Sequence, residues 1–397
     1  MTGALSATVD RALLAASIES RLLERNDVSE RFFAREAPIL ARACQQMAER
    51  FMAGGTLLAF GRNQYATDAQ HVSVEFVHPV IVGKRALPAL DLSAAFREWL
   101  SAIVRHDDIV MGFGPPHGDV DIAASMRDAK RGGAQTFAFG GGEGDYTLAR
   151  PTDDAFICQE MVEVLYHTLW ETVHVFLEHR ERGHDLGQAA FLYPFLGRTK
   201  QDTSPMLDGV ASSIVAKSRD DERLRSEIAA TQVDAMISAI VAVRSRIDGG
   251  GKLIWFGNGG SATDANDGAL DCVAPASGRA IPAISLAMEP ANVTAIANDV
   301  GTDAIFLRQL IAHANARDVA IAISTSGGSA NVIAALVEAR RRGLLTVALL
   351  GYDGGEIARR ALADVSIVVA SDYIPRIQEV QASIYHLLIE HVGTDAA

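Results

Sequence analysis

Cysteine is scarce: the chain has three in 397 residues, Cys44, Cys158 and Cys272, odd in number and without CxxC or CxxH spacing. That argues against a disulfide framework or a cysteine zinc site and makes the reducing cytoplasm the expected compartment. Long apolar runs are missing too. No segment approaches the roughly 20 apolar residues that span a bilayer. The first 25 residues carry acidic groups early and no apolar core before a cleavage-like site, so a helix is expected there and not a signal peptide. Positive charge is in deficit, with 36 Lys and Arg against 49 Asp and Glu, a net −13. Neither a nucleic-acid surface nor a membrane partner is expected of such a chain. An anionic ligand must then be held by local backbone dipoles and a few hydroxyls, against the global field.

What is present is apolar mass and repetition. Half of the residues are hydrophobic, enough for two cores, and the length suits two domains of about 100–200 residues. Residues 58–70 (LAFGRNQYATDAQ) align with 254–266 (IWFGNGGSATDAN) at an offset of 196. Residues 108–113 parallel 318–323 at an offset of 210, and 159–167 parallel 378–386 at 219. So long a period marks a duplicated domain and not a solenoid. The growing offset places extra residues in the second copy, notably around 292–306. The expected division is 1–183, a linker at 184–204 without clear periodicity, and 205–397. In the second copy, apolar runs at 252–256, 283–286, 319–323, 345–349 and 365–369 read as strands. Amphipathic stretches at 262–273, 331–342, 356–361 and 376–391 read as helices. Such alternation predicts an α/β fold, a parallel sheet with helices on both faces and ligands at the carboxyl ends of the strands.

The first strand of that copy runs into Gly257-Asn258-Gly259-Gly260-Ser261 and then a helix. Glycines admit close approach of a ligand, and the helix N-terminus offers unpaired N–H groups. The third strand runs into Ser324-Thr325-Ser326-Gly327-Gly328-Ser329 before another helix. Either loop alone is equally a capped turn; the two together predict a phosphate cradle. In the first copy the matching loops are Gly61-Arg62-Asn63-Gln64-Tyr65 and Gly114-Pro115-Pro116-His117-Gly118-Asp119. Proline removes donors and Asp119 would repel a phosphate where Ser329 would bind one.

The strings FGNGGSATDA, NDVG, ISTSGGSANVI, GYDGG and SDYIPRIQEVQ, followed by His386, resemble the sugar isomerase (SIS) domain family, and within it the phosphoheptose isomerases. These convert sedoheptulose 7-phosphate to a heptose 7-phosphate. The likeness covers nearly all of the second half and, more weakly, most of the first. It implies two tandem SIS-type domains, the first degenerate. It also implies phosphate contacts from Ser261, Ser324, Thr325, Ser326 and Ser329, with Asn258 shaping the first loop.

The first copy has His71 and Glu75 spaced i, i+4 on one helix face and Gln159 and His167 spaced i, i+8 on another. Spacing alone favours a surface helix pair for His71 and Glu75 and a core histidine for His167 over a functional site. The resemblance implies more: Glu75 and His167 as proton-transfer groups, and His71, Glu75, Gln159 and His167 as ligands of an open zinc site. In the second copy the matching positions are Asp267 and Asp271, with Gln378 and His386 retained. Two arrangements follow. In one, Glu75 and His167 act on a sugar whose phosphate rests on Ser324–Ser329 of the other half, an intramolecular pseudo-dimer. In the other, Asp271 and His386 work alone within the second half.

The implied chemistry is aldose–ketose isomerisation through an enediol by an isomerase without an organic cofactor, in a homo-oligomer. Glu289 is a candidate contact for sugar hydroxyls or a solvated loop carboxylate. Arg376 is a candidate interface or substrate contact, Arg340–Arg342 a solvated helix end, and Trp99, Trp170 and Trp255 core or interface residues. The rival reading is a non-catalytic phosphosugar sensor or assembly adaptor.

Overall fold

The computed structural model describes residues 11–81, 83–140, 142–182 and 204–394. The expected linker, apart from Ser204, lies outside the described residues. Two compact units emerge: Asn26–Glu222, and the chain up to Arg25 together with Arg223 onward. Two boundaries fall inside helices, α1 (Arg11–Met52) and α6 (Ser204–Thr231). The first turns of α1 belong with the C-terminal helix, where Arg21 Nη2 lies 3.1 Å from Glu390 Oε2.

In the Asn26–Glu222 unit, β1 (Leu57–Gly61), β2 (Ala89–Asp91), β3 (Ile109–Phe113), β4 (Gln135–Phe139) and β5 (Tyr146–Thr147) form one sheet in the order β2-β1-β3-β4-β5, with every pairing parallel. Its helices are the rest of α1, α2 (Ala66–Val77), α3 (Phe96–Ile103), α4 (Val120–Arg131), α5 (Ala155–Arg182) and the start of α6. β1, β3 and β4 are buried at every position, as near-continuous apolar strands covered on both faces should be. One face packs Phe33, Met47, Val72, Phe76, Leu165 and Trp170; the other packs Phe60, Phe96, Ile122 and Met126.

The other unit repeats the plan. After α7 (Val233–Asp248) come β6 (Leu253–Phe256), α8 (Gly260–Val273), β7 (Ala283–Ser285), α9 (Pro290–Asp299), α10 (Ile305–His313), β8 (Val319–Ser324), α11 (Ala330–Arg341), β9 (Leu345–Gly351), α12 (Gly355–Arg359), β10 (Val365–Val369) and α13 (Ile374–Gly393). The order β10-β9-β8-β6-β7 is parallel throughout. It is the first sheet's order read from the opposite edge. The residues that enlarge the second copy before its third strand include α9, which buries none of its side chains, whereas the first copy has α3 alone as a full helix in that stretch. In both sheets the strand order reverses between the first and third strands of the copy. Ligand crevices form at such a switch point.

Sequence-expected elements differ from the observed ones by one or two residues at their ends. α13 starts at Ile374 with Pro375 in its first turn, where a missing N–H costs nothing. Trp170 and Trp255 are fully buried, but Trp99 is 52% exposed and belongs to no core. Its helix α3 buries only Phe96 and Leu100. No single helix among the described residues is long and apolar enough to cross a membrane.

Candidate functional site

β6 leaves the sheet at Gly257, where a Cβ would stand 2.4 Å from Ser261 O and 2.8 Å from Ile323 O. Only glycine lets the strand turn into α8 so close to β8. Gly259 follows at φ 57°, ψ −127°, and α8 begins with no side chain capping it. Its first-turn N–H groups thus face the loop without a side-chain acceptor. Across the switch point, Gly327 adopts φ 59° against the backbone of Gly354. Ser324 Oγ accepts from Gly327 N at 3.1 Å and Ser326 Oγ from Gly328 N at 3.2 Å. Ser329 stands at the N-cap of α11 without making the cap bond, although serine is a favoured capping residue. In the first turn of α11 the side-chain acceptor is instead Asn331, whose Oδ1 accepts from Val332 N at 2.9 Å.

The two loops touch. Asn258 Nδ2 donates to Asn331 Oδ1 and Asn331 Nδ2 to Asn258 Oδ1, each at 2.9 Å. This reciprocal amide pair ties the glycine loop to the hydroxyl loop. Ser261 and Ser324 are buried, Thr325 and Ser329 half-buried, Asn258 and Ser326 exposed. Asn331 was not singled out in the sequence as a site residue, because its partner lies 73 positions away. Glu289 is exposed at the start of α9 and does not cap it.

In the first copy the turn is preserved but its contents differ. Asn63 takes φ 57° at the position of Gly259, a conformation asparagine tolerates, and Tyr65 replaces Ser261. At the other loop Asp119 caps α4, its Oδ1 accepting from Asp121 N at 2.9 Å and Ile122 N at 3.0 Å. Arg62 reaches across, Nη1 3.4 Å from Asp119 Oδ2 and Nη2 2.7 Å from Asp121 Oδ2. Arg62 holds the Asp121 carboxyl below its ordinary range. The cradle thus carries its own anion and counter-ion. A cavity of about 50 Å³ remains, lined by Tyr65, Gly114, Phe139 and Gln159 among others. That is far below the roughly 300–1,000 Å³ of small-molecule sites.

Each unit also buries a cluster of ionisable groups. In the first copy His71 and Glu75 are 2% and 1% exposed, so they are not a surface helix pair. His71 Nε2 lies 3.3 Å from His167 Nε2 and 3.8 Å from Glu75 Oε1. Glu163 of α5, not anticipated from sequence, has a carboxylate oxygen within 4.8 Å of both imidazoles. Gln159 is buried one turn before Glu163. In the second copy His386 Nε2 stands 3.2 Å from Asp271 Oδ2 and 3.6 Å from Asp267 Oδ2. Tyr385 donates its hydroxyl to Asp267 Oδ2 at 2.8 Å. Burial, and after it the charge of Asp267, pushes the Asp271 carboxyl up to about 7; His386 pulls the other way. Gln378 is buried, and its Oε1 makes no hydrogen bond among the described residues. Arg376 is buried at the start of α13, 2.5 Å from Glu379, and Arg341 and Arg342 bind Glu338 at the end of α11.

A doubly wound sheet with glycine and hydroxyl loops at its switch point defines the sugar-isomerase class of α/β domain, and the SIS domain family matches residues 219–351. A phosphoheptose isomerase of Citrifermentans bemidjiense is 45% identical over 160 residues, 40% of this chain and 82% of that protein. One from Pelobacter propionicus is 41% identical over 189 residues, 47% of this chain and 97% of its own length. The chain belongs to the phosphoheptose isomerase family of SIS-domain proteins. The fold likeness runs further: the C-terminal domain of glucosamine-fructose-6-phosphate aminotransferase from Francisella tularensis superposes with a TM-score of 0.58 at 10% identity, over 98% of this chain and 97% of that one.

Proposed function

We propose that the chain is a phosphosugar isomerase acting on sedoheptulose 7-phosphate or a close relative. The phosphate rests on Ser261 and Ser324–Ser329, and proton transfer falls to Asp271 and His386. The observation that carries this is the 3.2 Å contact of Asp271 with His386, on the helix whose N-terminus forms the cradle. From Ser261 the axial rise is roughly 9 Å to Asp267 and roughly 15 Å to Asp271. Helical side chains lean back toward the N-terminus, so the acid/base groups stand about one extended sugar phosphate from the anion site.

Asp271 as a carboxylate removes the proton from the carbon beside the carbonyl. An enediol forms, and the proton returns to the neighbouring carbon, with His386 donating to the oxygen that carries the developing charge. A base that titrates at about 7 is matched to work near neutral pH.

The first copy's cluster suits zinc. Two nitrogens on a tetrahedral zinc with bonds of about 2.0–2.1 Å stand roughly 3.3–3.4 Å apart, and His71 and His167 are 3.3 Å apart. Those two imidazoles, Glu75 or Glu163, and Gln159 would hold the ion. Bound zinc supplies Lewis-acid polarisation of an oxygen. A cytoplasmic protein with no nucleic-acid or membrane partner remains our reading of the charge and cysteine pattern, and a homo-oligomer our reading of the family resemblance.

The test is a coupled assay on sedoheptulose 7-phosphate, with metal analysis of the purified chain. Asp271→Asn should cost about 10²–10⁴-fold in kcat, and Glu75→Gln much less. The reverse order would move the chemistry to Glu75 and His167. Sugar phosphate binding without turnover in any variant would make the protein a sensor or adaptor.

A further inference from the structure

Doubly wound sheets take their ligands at the carboxyl ends of the strands. The Asn26–Glu222 unit has a further opening at the other end. An open cavity of about 720 Å³ lies where α1 and α4 finish and β3, β4 and β5 begin, within the roughly 300–1,000 Å³ of small-molecule sites. Its lining carries both signs of charge: Arg50 and Lys130 against Glu49, Asp107 and Asp145. Lys130 and Asp145 pair at 3.1 Å, which leaves Arg50 to set against Glu49 and Asp107.

A buried amide reaches this cavity. Gln135, the first residue of β4, lines it and is 4% exposed. Its Nε2 donates to Ala43 O at 3.1 Å and to Gln46 Oε1 at 3.4 Å. A backbone carbonyl only accepts, so the bond to Ala43 fixes which way the amide faces. Oε1 is left buried with no hydrogen-bond partner among the described residues, a costly state for an acceptor. Arg50 gives Nη1 to the carbonyls of His106, Asp108 and Gly133, and Gln135 N donates to the same Asp108 O at 2.9 Å. The guanidinium and the orphaned amide are therefore neighbours. Those carbonyls are the only partners of Arg50 among the described residues, so no carboxylate matches its charge.

The second copy keeps this frame without its lining. Gly54 and Gly55 recur as Gly250 and Gly251, and Arg246 binds the carbonyls of Ala316 and Gly343 as Arg50 binds those of His106 and Gly133. Where the first copy has Gln46, Glu49, Asp107 and Gln135, the second has Ala242, Ser245, Arg317 and Leu345. The arginine thus belongs to the fold, whereas the glutamines and acids are not needed to build it.

We propose that this cavity binds a small zwitterion, an amino-carboxylate whose carboxylate meets Arg50 and whose ammonium donates to Gln135 Oε1. A guanidinium matches the two oxygens of a carboxylate, and an ammonium supplies the donor that a carboxamide oxygen requires. A simple anion would be opposed by Glu49 and Asp107, and a simple cation by Arg50. The site is separate from the isomerase site proposed above, which uses the second copy alone.

Calorimetric titration of the full chain tests it. Glycine, 4-aminobutanoate and 6-aminohexanoate serve as zwitterions of increasing reach, with butanoate and butylamine as single-charge controls. One zwitterion at least should bind saturably, about tenfold or more tightly than either control. Gln135→Leu installs the second copy's residue and should weaken that zwitterion about tenfold. Asp107→Arg, at an exposed position, should weaken it several-fold, and it decides alone if melting curves show that Gln135→Leu does not fold. No saturable binding of any zwitterion, controls that bind as well, or an affinity unmoved in the folded variants would overturn the proposal and leave the isomerase reading untouched.

Discussion

The two copies share a sheet order and a first-loop turn, yet they treat an anion in opposite ways. The second copy leaves Ser329 uncapping, and in the first turn of α11 only the neutral amide of Asn331 accepts, from Val332 N, among the described residues. The first copy places Asp119 in the same spot, where it satisfies two N–H groups of α4 and binds Arg62. A capping carboxylate and a bound phosphate compete for the same donors and the same dipole. Stability and binding are therefore alternatives at one position: the first copy has taken the cap, and the site we propose in the second uses the other.

Exchanging that residue breaks the comparison most sharply. Ser329→Asp puts a carboxylate into the proposed cradle. A like charge about 4 Å away costs about 4 kcal/mol at the effective dielectric of a protein surface, so the KM for sugar phosphate should rise about 10²–10³-fold. The same variant should gain about 1 kcal/mol of stability from its new cap, which denaturant unfolding would read.

The second difference is the charge state of the buried clusters. Asp271 titrates at about 7 in the folded chain against an ordinary 3.8, so the native state holds its proton more tightly than the unfolded one. Its contribution to stability is full below about pH 4 and is lost as the pH climbs through about 7. Asp271→Asn should abolish that loss. Its melting temperature relative to wild type should rise by a few degrees from about pH 5 to about pH 8. An unchanged difference would mean Asp271 is ionised throughout.

Smaller effects refine the picture. Asp119→Ser in the first copy should lose about 1 kcal/mol through its cap and, with Arg62 released, gain measurable stabilisation by inorganic phosphate. Asn331→Ala removes one partner of the amide pair that joins the two loops, worth about 0.5–1.5 kcal/mol. A KM increase of several-fold without a change in kcat is the expected signature.

How much of this was legible beforehand follows a physical line. The glycine and hydroxyl loops are local: strand, turn and helix start are consecutive, so the string from Phe256 to Ser261 carries its own geometry. The duplication and the parallel α/β architecture were legible for the same reason, and Asp119 could be read as hostile to phosphate. That Asp119 is also a cap clamped by Arg62, 57 positions away, could not. Asn331 pairing with Asn258, Glu163 approaching two imidazoles and Tyr385 bonding Asp267 all depend on how helices meet. Tyr385 sits amid the buried residues of α13, where an aromatic is ordinary core by periodicity alone. Glu75 and His167 belong to one unit and Ser324–Ser329 to the other. The site we propose uses residues of the second copy alone.

Calorimetric titration of the full chain with sedoheptulose 7-phosphate bears most directly on that asymmetry. The expected result is one equivalent bound per chain, abolished in Ser329→Asp. Two equivalents in wild type, or binding that survives Ser329→Asp, would contradict it.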